Sequence, residues 1–141
     1  MIVVGMIAIL SAISIPLFRK FQSRSRQTEA KISLKAYFTA AKTSYAETTR
    51  WRCGACGWSP QDRNYAYNYY LSSTTRFDAG KRGCGPGVGE PAGQTDPDFA
   101  SNSAGGFTAE ATANLDVDTT CDAWNINDAA DLTNPSNDVE Y

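Results

Sequence analysis

Histidine does not occur in this chain, and no lysine or arginine follows Arg82. Without imidazole, the commonest general base near neutral pH and the commonest nitrogen ligand for a metal are both missing. The serines fall in no nucleophile-elbow pattern, and no glycine-rich loop opens a helix to cradle a phosphate. No catalytic set remains, so the chain is expected not to be an enzyme and to need no organic cofactor. Charge is missing entirely from Met1 to Phe18, where twelve of the eighteen residues are Met, Ile, Val, Leu or Phe. Burying those twelve is worth roughly 20–35 kcal/mol at about 1.5–3 kcal/mol each, which excludes a helix resting alone in water.

What that run is for depends on its flanks. At ~1.5 Å rise per residue it reaches ~27 Å, the lower limit for crossing a hydrocarbon layer. A secretory signal would open with positive charge and close on a small-residue cleavage site, whereas this run passes through Pro16 into a charged helix. Gly5, Ala8, Ser11, Ala12 and Ser14 are small enough for close approach of helix to helix, which a plain anchor does not require. The segment is therefore expected to pack against copies of itself.

Helix is expected to continue to about Thr48, with a bend or a lost hydrogen bond where Pro16 meets the carbonyl of Ala12. Leu34, Phe38, Ala41 and Tyr45, with Tyr37 beside them, form a stripe for a sheet to cover. Phe18, Phe21, Thr28 and Ile32 form a sparser stripe, suited to contacts between subunits. Glu29 stands three residues after Arg26, a spacing that permits a weak ion pair. Further on, Asn64–Leu71 alternates as a strand with Tyr65, Tyr67 and Tyr69 on one side, and Phe107–Leu115 does so with Phe107, Ala109, Ala111 and Ala113 inward. Cys121–Asn127 follows as a third strand, with Cys121, Ala123 and Asn125 on one face and Asp122, Trp124 and Ile126 on the other. The tail around Leu132 offers a further short strand or a loop. Residues 78–104 hold six of the eleven glycines and three prolines, and read as a long surface loop.

The four cysteines are Cys53, Cys56, Cys84 and Cys121. A zinc site of four thiolates would show two close pairs, and only Cys53 and Cys56 are close. A redox pair of the Cys-x-x-Cys kind lacks its usual βαβ setting. Two disulfides formed in an oxidising compartment fit better, and of the three connectivities Cys53–Cys56 with Cys84–Cys121 is favoured.

The run MIVVGMIAILSAISIPLF with its continuation RKFQSRSRQTEAKISLKAYFTAAKTSYAE resembles the N-terminal helix of type IVa major pilins and of the related type II secretion pseudopilins. The apolar run, the Ile15-Pro16 pair and the Glu29-Ala30-Lys31 helix carry the likeness, which is close from Met1 to about Glu47. The family's motif opens with a Phe-Thr-Leu-Ile-Glu-Leu-like stretch whose processed first residue is methylated. This chain is similar from just after that stretch, so the family's glutamate corresponds to no residue here. GWSPQDRNYAYNYY and FTAEATANLDVDTTCDAWNIND are similar to the first strand and final hairpin of pilins with compact heads.

The resemblance implies an α+β, pilin-like fold in which a long N-terminal helix bent at Pro16 packs on a three- or four-stranded antiparallel sheet. Residues 1–18 are the membrane and fibre-core segment, 19–48 an amphipathic helix entering the head, and 49–141 a disulfide-stabilised head carrying the long loop. It implies a structural subunit polymerising into an extracellular pilus filament that supports attachment, twitching motility or DNA uptake. The alternative is a pseudopilin forming short periplasmic rods. Ile7, Leu10, Ile13, Ile15, Pro16 and Phe18 are the expected filament core. The expected partners are identical subunits, the pilus assembly machinery and, before assembly, the inner membrane. A basic leader on the cytoplasmic side, known in pilin precursors, would reconcile the basic residues after Phe18 with cysteines outside the cell.

Two further features remain. Arg19, Lys20, Arg24, Arg26, Lys31 and Lys35 crowd the helix, whereas eleven acidic residues follow Arg82. Such a basic stem and acidic head are complementary between neighbours, and an acidic fibre surface repels phosphates, so no specific nucleic acid is expected. Asp116, Asp118 and Asp122, with Asn114 nearby, lie in one turn where three carboxylates could supply part of the about six to eight oxygens that Ca²⁺ takes. Turn aspartates bonding to their own backbone give the same pattern without an ion.

Overall fold

The computed structural model describes residues 1–49, 51, 56–60, 65–71, 76–79, 84, 106–115 and 120–139. Helix α1 covers Ile2–Thr48 in one unbroken run. The backbone stays helical across Pro16, although its imide nitrogen has no proton to give the Ala12 carbonyl. Ser11 Oγ donates to the Ile7 carbonyl at 2.8 Å and Ser14 Oγ to that of Leu10 at 2.9 Å, so both hydroxyls are satisfied within the helix. The outward surface of this stretch is consequently almost pure hydrocarbon. At the other end Thr49 turns left-handed at φ 58° and its N–H donates to the Tyr45 carbonyl at 2.7 Å, closing the last turn.

The head is a five-stranded antiparallel sheet of β1 (Asn68–Tyr70), β2 (Arg76–Phe77), β3 (Thr108–Ala113), β4 (Asp122–Asn127) and β5 (Leu132–Ser136). Their order across the sheet is β2-β1-β3-β4-β5. This is one strand more than the three or four expected from sequence. The addition is β2, whose two residues are too few to show alternation. β5 carries Pro135, which an edge strand tolerates because one side of its backbone needs no donor.

One stripe of α1 meets one face of the sheet. Ala30, Leu34, Tyr37 and Ala41 are spaced by four, three and four residues and are all fully buried. Against them lie Tyr67, Tyr69, Phe107, Ala109, Ala111, Ala113 and Ile126. Ala111 stands opposite Tyr69 on one side and Trp124 on the other. Small residues on the central strand thus leave room for the rings of its neighbours and let the helix come close. Phe107 packs edge-on to Tyr37 with centroids 5.9 Å apart and lies 4.9 Å from the Trp51 ring.

The opposite face of the sheet is covered too. Glu110 and Thr112, which alternation would leave in water, are 3% and 0% exposed. Cys84 lies over them: its carbonyl accepts from Asn68 Nδ2 at 3.2 Å, Tyr70 Oη at 3.0 Å and Thr112 Oγ1 at 3.2 Å. The Cys84–Cys121 disulfide ties this crossing to the start of β4, as expected. Cys56 is disulfide-bonded as well, and Cys53 lies outside the described residues.

Candidate assembly surface

The surface that distinguishes this molecule is the N-terminal part of α1, which is exposed along its length and packs on no other described element. Ile7, Leu10, Ile13, Ile15 and Phe18, the expected filament-core residues, are between 56% and 67% exposed. Met1, Ile2, Val3, Val4, Met6, Ile9 and Leu17 are exposed beside them, and the Pro16 side chain lies outside the description. The helix is long and apolar enough to cross a membrane. A soluble monomer seldom leaves more than a few hundred Å² of contiguous apolar surface in water, so a stem that is apolar on every side calls for lipid or for other stems. Phe18, Phe21, Thr28 and Ile32 extend this exposed surface up α1 on the side away from the head.

The stem is held to the head by a buried polar joint. Asp122, fully buried at the start of β4, accepts from Tyr67 Oη at 2.5 Å and Trp124 Nε1 at 2.7 Å on one oxygen. Its other oxygen accepts from Gln27 Nε2 at 2.9 Å and Asn134 Nδ2 at 3.2 Å. Four side-chain donors fill the lone pairs that a carboxylate offers. Asp122 therefore has a structural part that its place in the expected calcium set did not suggest, and Asp116 and Asp118 lie outside the described residues. The clue in the sequence is that Asp122 shares a strand face with Trp124 and Ile126, where an acid must find internal donors.

Other contacts lock the same joint. Gln27 Nε2 also donates to Asn137 Oδ1 at 2.8 Å, the Lys31 ammonium sits 4.3 Å from the centre of the Trp124 ring, and Glu29 Oε1 accepts from the Ala66 N–H at 3.1 Å. Burial, and then the charge of Asp122 and its hydrogen bond, push the Tyr67 phenol far above its ordinary pKa. Burial does the same to Tyr37 and Tyr69. Asp138, from the end of the chain, accepts from the Leu115 N–H at 2.6 Å and Thr120 Oγ1 at 2.7 Å and fixes the mouth of the β3–β4 connection.

These features can be set beside known proteins. No family model matches the chain. Over 75 residues, 52% of its length, the chain is 47% identical to the type IV major pilin protein PilA of Myxococcus xanthus. The match spans 34% of that protein. Long apolar helix, antiparallel head and homologue all agree with the likeness read from the residues: this chain is a relative of a type IV major pilin.

Proposed function

We propose that the chain is the structural subunit of an extracellular type IV pilus filament, held by its apolar helix in the membrane before assembly and in the fibre core afterwards. The exposed stem carries this reading. Among the described residues nothing covers it, and its serines are satisfied by the helix itself, so it suits lipid and a bundle of like helices equally well. Identical stems packed side by side with an axial shift make a head-to-tail contact that does not close and so propagates as a fibre. The heads then form the outer coat, with a structural and not a catalytic role, and attachment or motility follows from the fibre.

Charge in the stem tests this. Ile13→Asp or Leu10→Lys should abolish fibres in material sheared from cells, while circular dichroism in detergent shows an unchanged head. Fibres of normal yield from either variant would refute the proposal. Long fibres composed mainly of the wild-type chain support the pilus, whereas its retention inside the cell envelope would select a secretion rod.

A further inference from the structure

We infer that the basic band of the stem seats on the β4–β5 turn of a second copy, the two copies lying parallel and offset along α1 by about 25 Å. This rests on the filament proposal and adds to it the contact that sets the offset between subunits.

Helical spacing locates the band. Arg19 precedes the core residue Ala30 by eleven residues, or about three turns. Lys20 and Arg24 precede Gln27 and Lys31 by seven each, or about two turns. All three therefore lie on the side of α1 from which the head projects, below the point where Gln27 first reaches Asp122. Arg19 and Arg24 are exposed, and neither forms an ion pair among the described residues. Among the described residues, the surface beneath the head is thus a notch walled by the stem and roofed by the sheet, with Arg19 and Arg24 on its stem side.

A surface of opposite charge and fixed shape stands at the far end of the head. Asp128 and Asp131 are exposed on the turn between β4 and β5. The turn is held by Asn127 Oδ1, which accepts from the N–H groups of Ala129 at 3.1 Å and Asp131 at 2.9 Å, and by the left-handed Ala130. Its height along the helix is fixed by Phe107, whose carbonyl accepts from the Asp128 N–H at 3.1 Å and whose ring packs on Tyr37 and Phe38. The turn therefore lies level with about residue 38 of α1, some sixteen residues or ~25 Å above the middle of the basic band. A parallel copy displaced by that distance towards the N-terminus slides its acidic turn into the notch. Charge complementarity fixes the register there, and the bare apolar stems alongside supply the adhesion.

The test is a charge swap in cells making the full chain, with fibre yield measured after shearing. Arg19→Asp with Arg24→Asp, and separately Asp128→Lys with Asp131→Lys, should each lower the yield at least about tenfold, and the four changes together should restore it to within about threefold. In an otherwise unchanged chain, Arg24→Cys with Asp128→Cys should give disulfide-linked ladders within intact fibres, a readout that does not depend on tolerance of the charge reversals. The inference is overturned if wild-type fibres are abundant but the reversals leave the yield unchanged, the fourfold variant is no better than the doubles, or no ladder forms. Loss of binding to anionic lipid vesicles in the arginine variant, with fibre yield unaffected, would assign the band to membrane phosphates instead and overturn it equally. If the wild-type chain makes no fibres at all, it is the filament proposal that fails.

Discussion

Asp122 shows what a single side chain does for this molecule. Removing its carboxylate by Asp122→Ala leaves the Tyr67 hydroxyl, the Trp124 indole N–H and two amides without their acceptor in a buried joint. A loss of about 3–5 kcal/mol of head stability is expected, read as a lowered midpoint of thermal unfolding in detergent. Buried phenols supply a second prediction at this scale. In the unfolded chain a tyrosine ionises near pH 10, whereas the folded head holds Tyr37, Tyr67 and Tyr69 protonated well above that value. Their contribution to stability is complete below about pH 10 and falls as pH rises past it, because only the unfolded chain then releases the protons. Tyrosinate absorbance of these residues should appear together with loss of the head's near-ultraviolet dichroism, and their titration in a still-folded head would contradict this. The tyrosines were legible in the sequence as one face of a strand. The partner of Tyr67 was not, because Asp122 lies 55 residues further along and local spacing carries no sign of that contact.

Among the elements, α1 was the most legible and the outer cover of the sheet the least. Periodicity marked Leu34, Phe38, Ala41 and Tyr45, with Tyr37 beside them, as the packed face of the helix. The structure centres that face on Ala30, Leu34, Tyr37 and Ala41, with Phe38 and Tyr45 half-buried at its edge, while Phe107, Ala109, Ala111 and Ala113 announce that of β3. Glu110 and Thr112 looked solvent-facing by the same rule, yet both are buried, and Thr112 donates its hydroxyl to the carbonyl of the distant Cys84. Cys84 and Cys121 are paired across a sequence separation of 37, and removing the link by Cys84→Ser with Cys121→Ser should cost about 2–5 kcal/mol. The readout is urea unfolding of the head in detergent, where the double variant should show a lower midpoint. Amide hydrogen exchange should quicken first at Thr112 and its neighbours, since they lie under Cys84. An unchanged midpoint would mean that the hydrogen bonds to the Cys84 carbonyl hold the crossing without the covalent link. β2 stayed hidden because it has two residues and owes its pairing to Tyr69 and Tyr70 on β1.

At the scale of the whole molecule the chain has two unlike halves, one satisfied and one not. The head packs its apolar core within itself, while the stem leaves its large hydrophobic side chains bare from Met1 to Phe21. Burial of such side chains is worth about 1.5–3 kcal/mol apiece, so the exposed stem can offer a neighbour far more than the several kcal/mol that association costs. The stem's composition was plain from the first eighteen residues. Which side of it faces beneath the head, and at what height the acidic turn lies, required the contacts of Gln27 with Asp122 and of Phe107 with Asp128. Detergent removal examines this directly. Purified full chain, followed by light scattering and electron microscopy as detergent is dialysed away, should pass from single molecules to filaments or to vesicle-bound protein when lipid is supplied. A chain with its stem intact that stayed monodisperse in plain buffer would contradict it.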